Sequence, residues 1–466
     1  MAKHSPARNQ IKDMRWFFLY AKDQKKASTG EIYSQLALKY APIFKGKIET
    51  IPKVPVRKLD DFSIWYTPGV AAVCRAIQQN PELSFQYTGR WNTVAVLTDG
   101  SRVLGLGDVG PEAGMPVMEG KALIYKYLGG VDAFPIALGV HEVKEIVAVA
   151  KALEPSFGGI NLEDISSPKC FEILDTLRSE LSIPVWHDDQ QGTAGVTLAG
   201  VINALNLTGR KIRGTHFVLN GAGAANLATA RLLVAAGADP GDLVLIDTKG
   251  ILHPEREDMD ELQLKHPLKY EFGLKTNKER LAGGAAEALR GADVLISASR
   301  PGPGVIKPEW VSSMNKHAIV FLEANPVPEM WPWEAEEAGA EIIATGRSDF
   351  ANQVNNSLLF PAIFRGVLEV RGKTITDTMV IAAAYELAKA AEDKGLRSDY
   401  IVPTMQEWEV YLRVATAVGA KAVEVGVARL KLSSDEIYER SKATIDRCRA
   451  ICSRVIDART VALLET

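Results

Sequence analysis

The stretch from Phe217 to Asn226 constrains the fold of this chain more than any other. An apolar β run, 217–219, leads into Asn220-Gly221-Ala222-Gly223-Ala224-Ala225-Asn226, and helix-forming residues follow. Glycine at Gly221 permits a tight strand-to-helix turn, and glycine at Gly223 lets the backbone approach a ligand closely. A helix opening just after such a turn presents free N–H groups and the positive end of its dipole, a setting suited to a pyrophosphate. The next strand ends at Asp247, about 20 residues on, where a carboxylate can accept hydrogen bonds from ribose hydroxyls. Gly221, Ala222, Gly223, Ala224, Ala225 and Asp247 are therefore expected to bind a dinucleotide. Asp247 favours NAD, because it would repel a 2′-phosphate, while Lys249 nearby leaves NADP open.

The rest of the chain has the cadence such a turn requires. Strand-like segments at 93–97, 131–136, 159–162 and 183–186 alternate with helix-like segments at 116–127, 141–153 and 168–181. Beyond 193–207, a helix, further strands are expected at 243–246, 294–297, 319–322 and 341–344. Alternation of this kind implies α/β layers around largely parallel sheets. From residue 376 the pattern is helical, with Met379, Ala383, Leu387 and Ala391 on one stripe and Gly395 ending it. The expected division is an N-terminal α/β substrate and metal domain over 1–190, a doubly wound Rossmann-type domain over 191–375 and a helical segment over 376–466.

Composition excludes several classes. The net charge of −3 leaves no basic footprint for nucleic acid, and no apolar run reaches membrane-spanning length. Cys74, Cys170, Cys448 and Cys452 form no C-x-x-C pair and no zinc spacing, and so few cysteines suit a reducing, cytoplasmic setting. The basic first 26 residues read as a helical or frayed extension.

Two acidic groups end β runs: Glu163-Asp164 after 160–162, and His187-Asp188-Asp189 after 183–186. Both fall at carboxyl ends of expected parallel strands, where open α/β sheets build their sites. Carboxylates converging there would repel one another without a cation, and an all-oxygen donor set suits Mg²⁺ or Mn²⁺. Read singly, each is a helix cap or a loop acid. Lys121 lies mid-helix among apolar residues, and burial would lower its pKa and let it act as a base. Tyr66, in Trp65-Tyr66-Thr67-Pro68-Gly69-Val70, sits at a turn where it could donate a proton. Read alone, each is a snorkelling lysine and a packed tyrosine.

Taken together, these motifs resemble the malic enzyme family in its short bacterial and archaeal form. They run in family order: Tyr66-Thr67-Pro68-Gly69-Val70, Gly105-Leu106-Gly107-Asp108, Glu119-Gly120-Lys121, Asn161-Leu162-Glu163-Asp164, His187-Asp188-Asp189-Gln190, Ala324-Asn325-Pro326, Thr345-Gly346-Arg347-Ser348-Asp349 and Asn352-Gln353-Val354-Asn355-Asn356. The resemblance implies oxidative decarboxylation of L-malate to pyruvate and CO₂ with NAD(P) and a divalent metal. It implies Tyr66 as general acid, Lys121 as general base and Asp188 as partner of that lysine. Glu163, Asp164 and Asp189 become metal ligands, and Arg102 a carboxylate-binding arginine. Asn325 and one of Asn355 and Asn356 lie near substrate and nicotinamide. A homodimer is implied, with N-terminal segments exchanged. Gln191, Asn226 and Glu323 depart from the family pattern. A malolactic enzyme giving lactate and an amino-acid dehydrogenase are the alternatives; the paired acids argue against the second.

Overall fold

The computed structural model describes residues 29–465; the expectation for the first 26 residues lies outside them. Helices α1 (Thr29–Phe44), α2 (Asp60–Trp65) and α3 (Val70–Gln79) precede a four-stranded sheet. Its strands are β1 (Thr93–Thr98), β2 (Asp132–Ala137), β3 (Gly159–Leu162) and β4 (Val185–His187), in the order β2-β1-β3-β4. All pairings are parallel. The Val-rich β1 and the whole of β3 are buried, as strands covered on both faces must be. Helices α4 (Pro111–Gly129), α5 (Val143–Leu153) and α6 (Lys169–Glu180) make the crossovers.

Register sets the site. Leu162 pairs with His187, so Glu163 and Asp188 leave the sheet at one level on neighbouring strands. Parallel pairing therefore gathers both acidic groups at one edge.

The expected helix 116–127 starts earlier, at Pro111. Gly110, at φ 80°, turns the chain, and Pro111 fills the first helical position, where its missing N–H costs nothing. Pro116 instead lies inside the helix, and its carbonyl accepts Lys47 Nζ at 2.9 Å.

From β4 the chain passes through a wide helical turn at Asp188–Gly192 directly into α7 (Thr193–Leu207). The second sheet has the order β10-β9-β8-β5-β6-β7, with β5 (Phe217–Asn220), β6 (Leu243–Asp247), β8 (Val294–Ser297), β9 (Ala318–Leu322) and β10 (Ala340–Thr345) parallel. The two-residue β7 (Gly250–Ile251) turns back antiparallel on β6, a reversal made at Gly250 with φ 111°. The order reverses between β5 and β8, which places the ligand crevice of a doubly wound sheet at their carboxyl ends.

The C-terminal helices are not a separate body. Phe360–Glu369 (α9) is buried throughout and packs on α4 and on α11 (Glu409–Glu424); α10 (Asp377–Glu392) packs on α7. Helix α12 (Ser434–Glu465) lies on α11 and α4, with Cys448 Sγ donating to the Gly130 carbonyl at 3.6 Å.

Candidate active site

Lys121 sits one turn into the buried half of α4 and is 8% exposed. Its Nζ lies 2.5 Å from Asp188 Oδ2 and 2.9 Å from Glu163 Oε1, and 4.4 Å from the centre of the Phe360 ring. Burial alone would lower this ammonium. The two carboxylates outweigh it, and Lys121 is held well above its ordinary value. The expectation of a lowered lysine is thus corrected, because burial here comes with two anionic partners.

Each partner is itself fixed. Asp188 Oδ1 accepts the indole N–H of Trp186 at 2.8 Å. Gly192 leaves room for it, since a Cβ there would lie 2.0 Å from Asp188 Oδ1. Glu163 Oε2 accepts the Asn161 amide at 2.9 Å, and Asn161 Oδ1 accepts the Tyr125 hydroxyl at 2.8 Å. Tyr125, fully buried one turn after Lys121, went unnoticed in the sequence; its i, i+4 spacing from Lys121 was the available signal.

Glu163, Asp164 and Asp189 each offer one oxygen within 4.8 Å of the other two. Burial raises the Asp164 carboxyl first, Asp189 next, and it is pushed up to about 7. Asp164 Oδ2 is buried and, among the described residues, has no hydrogen-bond donor. Its backbone is left-handed, φ 53°, a conformation aspartate tolerates better than most residues. Three clustered carboxylates, one of them carrying an unsatisfied oxygen among the described residues, fit a divalent cation of the Mg²⁺ or Mn²⁺ kind.

Arg102 is exposed beside this cluster, and its backbone N–H donates to the Asp164 carbonyl at 3.0 Å. The loop that carries it is tied down from below. Buried Asp99 accepts Ser101 Oγ at 2.6 Å and pairs with Lys169, and Ser101 Oγ accepts the Ser166 N–H at 3.0 Å. Tyr66 stands apart. It is 71% exposed, and among the described residues its hydroxyl makes no hydrogen bond to the cluster.

Across the cleft, the glycine turn has the predicted geometry. Gly221 has φ 99°, and a Cβ there would lie 2.6 Å from the Ala298 carbonyl. A Cβ on Gly223 would meet no protein atom within 4 Å. That open cradle before α8 (Ala224–Ala235) fits a pyrophosphate, with Ala224 and Ala225 opening the helix. Asn226 is buried, and its amide donates to the Asn220 carbonyl at 2.9 Å and the Ile296 carbonyl at 3.3 Å. Its departure from Gly or Ala is thus a tie between α8 and the ends of β5 and β8. Asp247 ends β6 and pairs with Arg256.

Asn325 reaches the first domain. A Cβ on Gly105 would lie 2.4 Å from the Asn325 carbonyl, so only glycine lets these loops close together. Asn355 caps the turn into α9 through Ser357 N–H at 2.9 Å, and Asn356 lies against Gly192. Glu323, 9% exposed, accepts the Thr197 hydroxyl at 2.5 Å, and its Oε2 has no partner among the described residues. Burial, countered by Thr197 and reinforced by Glu329, pushes Glu323 up to about 8.

Comparison with known proteins agrees with this geometry. The family model "Malic enzyme, N-terminal domain" matches residues 45–178, and "Malic enzyme, NAD binding domain" matches 190–423. The chain is 45% identical to a bifunctional malic/malolactic enzyme of Bacillus subtilis, over 87% of this chain and 97% of that one. It is 47% identical to an NAD-dependent malic enzyme of Geobacillus stearothermophilus, over 82% and 78%. The crystal structure of the Entamoeba histolytica malic enzyme superposes with a TM-score of 0.90 at 44% identity, covering 95% of this chain and 94% of that one. On the matches to both family models and on this similarity along most of its length, the chain belongs to the malic enzyme family of nicotinamide-dependent oxidoreductases.

Proposed function

We propose that the chain oxidises L-malate at C2 and decarboxylates the product to pyruvate and CO₂, using NAD or NADP with Mg²⁺ or Mn²⁺. The observation that carries this reading is the Lys121–Asp188–Glu163 ion-pair cluster, which shares Glu163 with the three-carboxylate group. A bound cation would polarise the C2 oxygen, and a bound dinucleotide would accept the hydride. With Glu163 drawn to a bound cation, Lys121 would keep one anionic partner, Asp188; once its ammonium passes its proton to Asp188 or to water, the neutral amine takes the C2 hydroxyl proton. Arg102 anchors a substrate carboxylate. Asn325 and the Asn355–Asn356 pair orient substrate and nicotinamide at the joint between domains. Tyr66 delivers the proton to C3 after CO₂ leaves. Residues 1–190 supply the metal and acid–base groups, 191–375 the dinucleotide site, and 376–466 the helical support.

The exposure of Tyr66 supports a homodimer with exchanged N-terminal segments. Among the described residues, helices α2 and α3 have no buried residue, and Leu59, Phe62, Ile64 and Trp65 are exposed together with Tyr66. A second copy covering this face would bring Tyr66 toward Lys121 of the partner subunit. Among the described residues no helix is long and apolar enough to cross a membrane. The four cysteines are unbridged, which supports a cytoplasmic setting.

The name of the Bacillus relative favours one second reading, a malolactic product. Steady-state assays with malate, Mn²⁺ and each dinucleotide, following reduced cofactor, pyruvate and lactate, separate the two. Pyruvate with stoichiometric reduced cofactor is expected, and chelation should abolish it. Lactate without net reduced cofactor would favour the alternative, and full activity in chelator would remove the metal from the scheme.

A further inference from the structure

A carboxylate at the end of the second Rossmann strand rejects NADP by charge only while that charge is free. Here it is not. Asp247 is 7% exposed at its side chain, and Oδ1 already accepts two donors, the Lys249 N–H at 2.9 Å and Arg256 Nη1 at 2.9 Å. Oδ2 faces Arg256 Nη2 at 3.4 Å and Lys269 Nζ at 3.6 Å. The guanidinium is gripped on its other edge by Asp258, through Nε at 2.8 Å and Nη2 at 2.7 Å. Lys249 Nζ pairs with Asp258 at 3.1 Å and Glu261 at 3.2 Å. The Gly221 and Ala222 N–H groups both donate to the Ile246 carbonyl, which puts this ion network directly beside the glycine turn.

We infer that Arg256, supported by Lys269, is a specificity-determining residue that lets the adenosine end of the site accept a 2′-phosphate as well as a ribose hydroxyl. The inference rests on the dinucleotide site proposed above. Coulomb repulsion from Asp247 is largely cancelled by two cations within about 4 Å. Arg256 can keep its Nε–Nη2 edge on Asp258 while Nη1 passes from Asp247 to a phosphate oxygen, the charge-assisted pairing guanidinium groups make well. Asp247, released on that side, stays paired with Lys269. With a ribose diol bound instead, the weakly held Oδ2 is the acceptor. Preference for NAD, expected from Asp247 alone, is replaced by acceptance of both cofactors.

The test is calorimetric titration of the full chain with 5′-AMP and with adenosine 2′,5′-bisphosphate, without substrate or turnover. The wild-type protein should bind the bisphosphate at least as tightly as AMP, with the advantage shrinking as salt rises. Arg256→Gln should cut bisphosphate affinity tenfold or more while AMP affinity moves less. Lys269→Gln, at a more exposed position, should shift the same ratio by a smaller factor and serves if Arg256→Gln does not fold. Tenfold rejection of the bisphosphate by a wild-type protein that binds AMP would overturn the inference and leave the nucleotide site standing. An unchanged ratio in the folded variants would overturn it equally. Failure to bind either probe would overturn the nucleotide site itself, and the inference with it.

Discussion

At the scale of single residues, a buried charge in this molecule is governed by what stands beside it. Lys121 keeps its proton because Asp188 and Glu163 face it, whereas Glu323 holds its proton because it is buried, with Glu329 nearby and, among the described residues, no cation paired to it. A carboxyl whose pKa is raised on folding stabilises the fold fully below its unfolded value, about 4.3. That stability is lost as pH climbs through the folded value, here about 8. Melting temperature should therefore fall from about pH 4.3 to about pH 8 and level off above it. Glu323→Gln keeps an acceptor for Thr197 and cannot ionise, so it should flatten that fall; identical pH profiles for parent and variant would count against the assignment. At the metal cluster, Asp189→Ala removes one of three converging oxygens. Mn²⁺ affinity should drop by more than the roughly 10–100-fold that follows loss of an outer partner, with the far-UV spectrum unchanged. Calorimetric titration with Mn²⁺ reads it directly, and unaltered affinity would exclude Asp189 as a ligand.

At the scale of elements, the two glycines of the strand-to-helix turn separate fold from function. Gly221 needs φ 99° and has the Ala298 carbonyl where a Cβ would go; Gly223 has neither constraint. Gly221→Ala should destabilise the protein by about 1–3 kcal/mol, the usual cost of backbone strain at such a site. Gly223→Ala should leave stability within ~0.5 kcal/mol and weaken dinucleotide binding, because its Cβ occupies the cradle. Denaturant melts and a fluorescence titration with NADH distinguish the two. A destabilised Gly223→Ala, or one with full affinity, would refute the cradle. The same scale shows why α4 outran its expected start. Pro111 and Pro116 both suit a helix beginning, and the turn at Gly110, not local propensity, selected the earlier one.

At the scale of the whole molecule, Tyr66 is exposed and, among the described residues, makes no hydrogen bond to the Lys121 cluster. If two copies complete each other's sites, Lys121→Ala and Tyr66→Phe proteins, each inactive alone, should complement when co-expressed. Random pairing makes half the dimers mixed, each with one intact site, so about a quarter of wild-type activity should return. No recovery, from a mixture shown to contain mixed dimers, would place the acid and base within one chain or give the acid role to another residue.

Much of the fold was legible before any coordinates. The parallel β segments of the Rossmann-type sheet, the helix Thr193–Leu207 and the glycine turn follow from local pattern, because strand burial and φ-permissive residues are short-range properties; the short antiparallel β7 does not. The identities of Lys121, Glu163, Asp164, Asp188 and Asp189 were also readable, since each ends or interrupts a recognisable run. Their relationships were not. That Leu162 pairs with His187, and so sets Glu163 beside Asp188, is a matter of strand register between distant segments. The direction of the Lys121 pKa, the Tyr125–Asn161 support beneath it and the tie from Asn226 to Ile296 depend on partners tens of residues away. The pairing of Asp247 with Arg256 and Lys269, on which the inference about cofactor choice rests, is likewise made by the fold. Sequence by itself determined which chemical groups this protein has and the elements that carry them. Tertiary structure alone decided which of those groups stand within a few ångströms of one another, because charge, hydrogen bonding and burial act through distance in space.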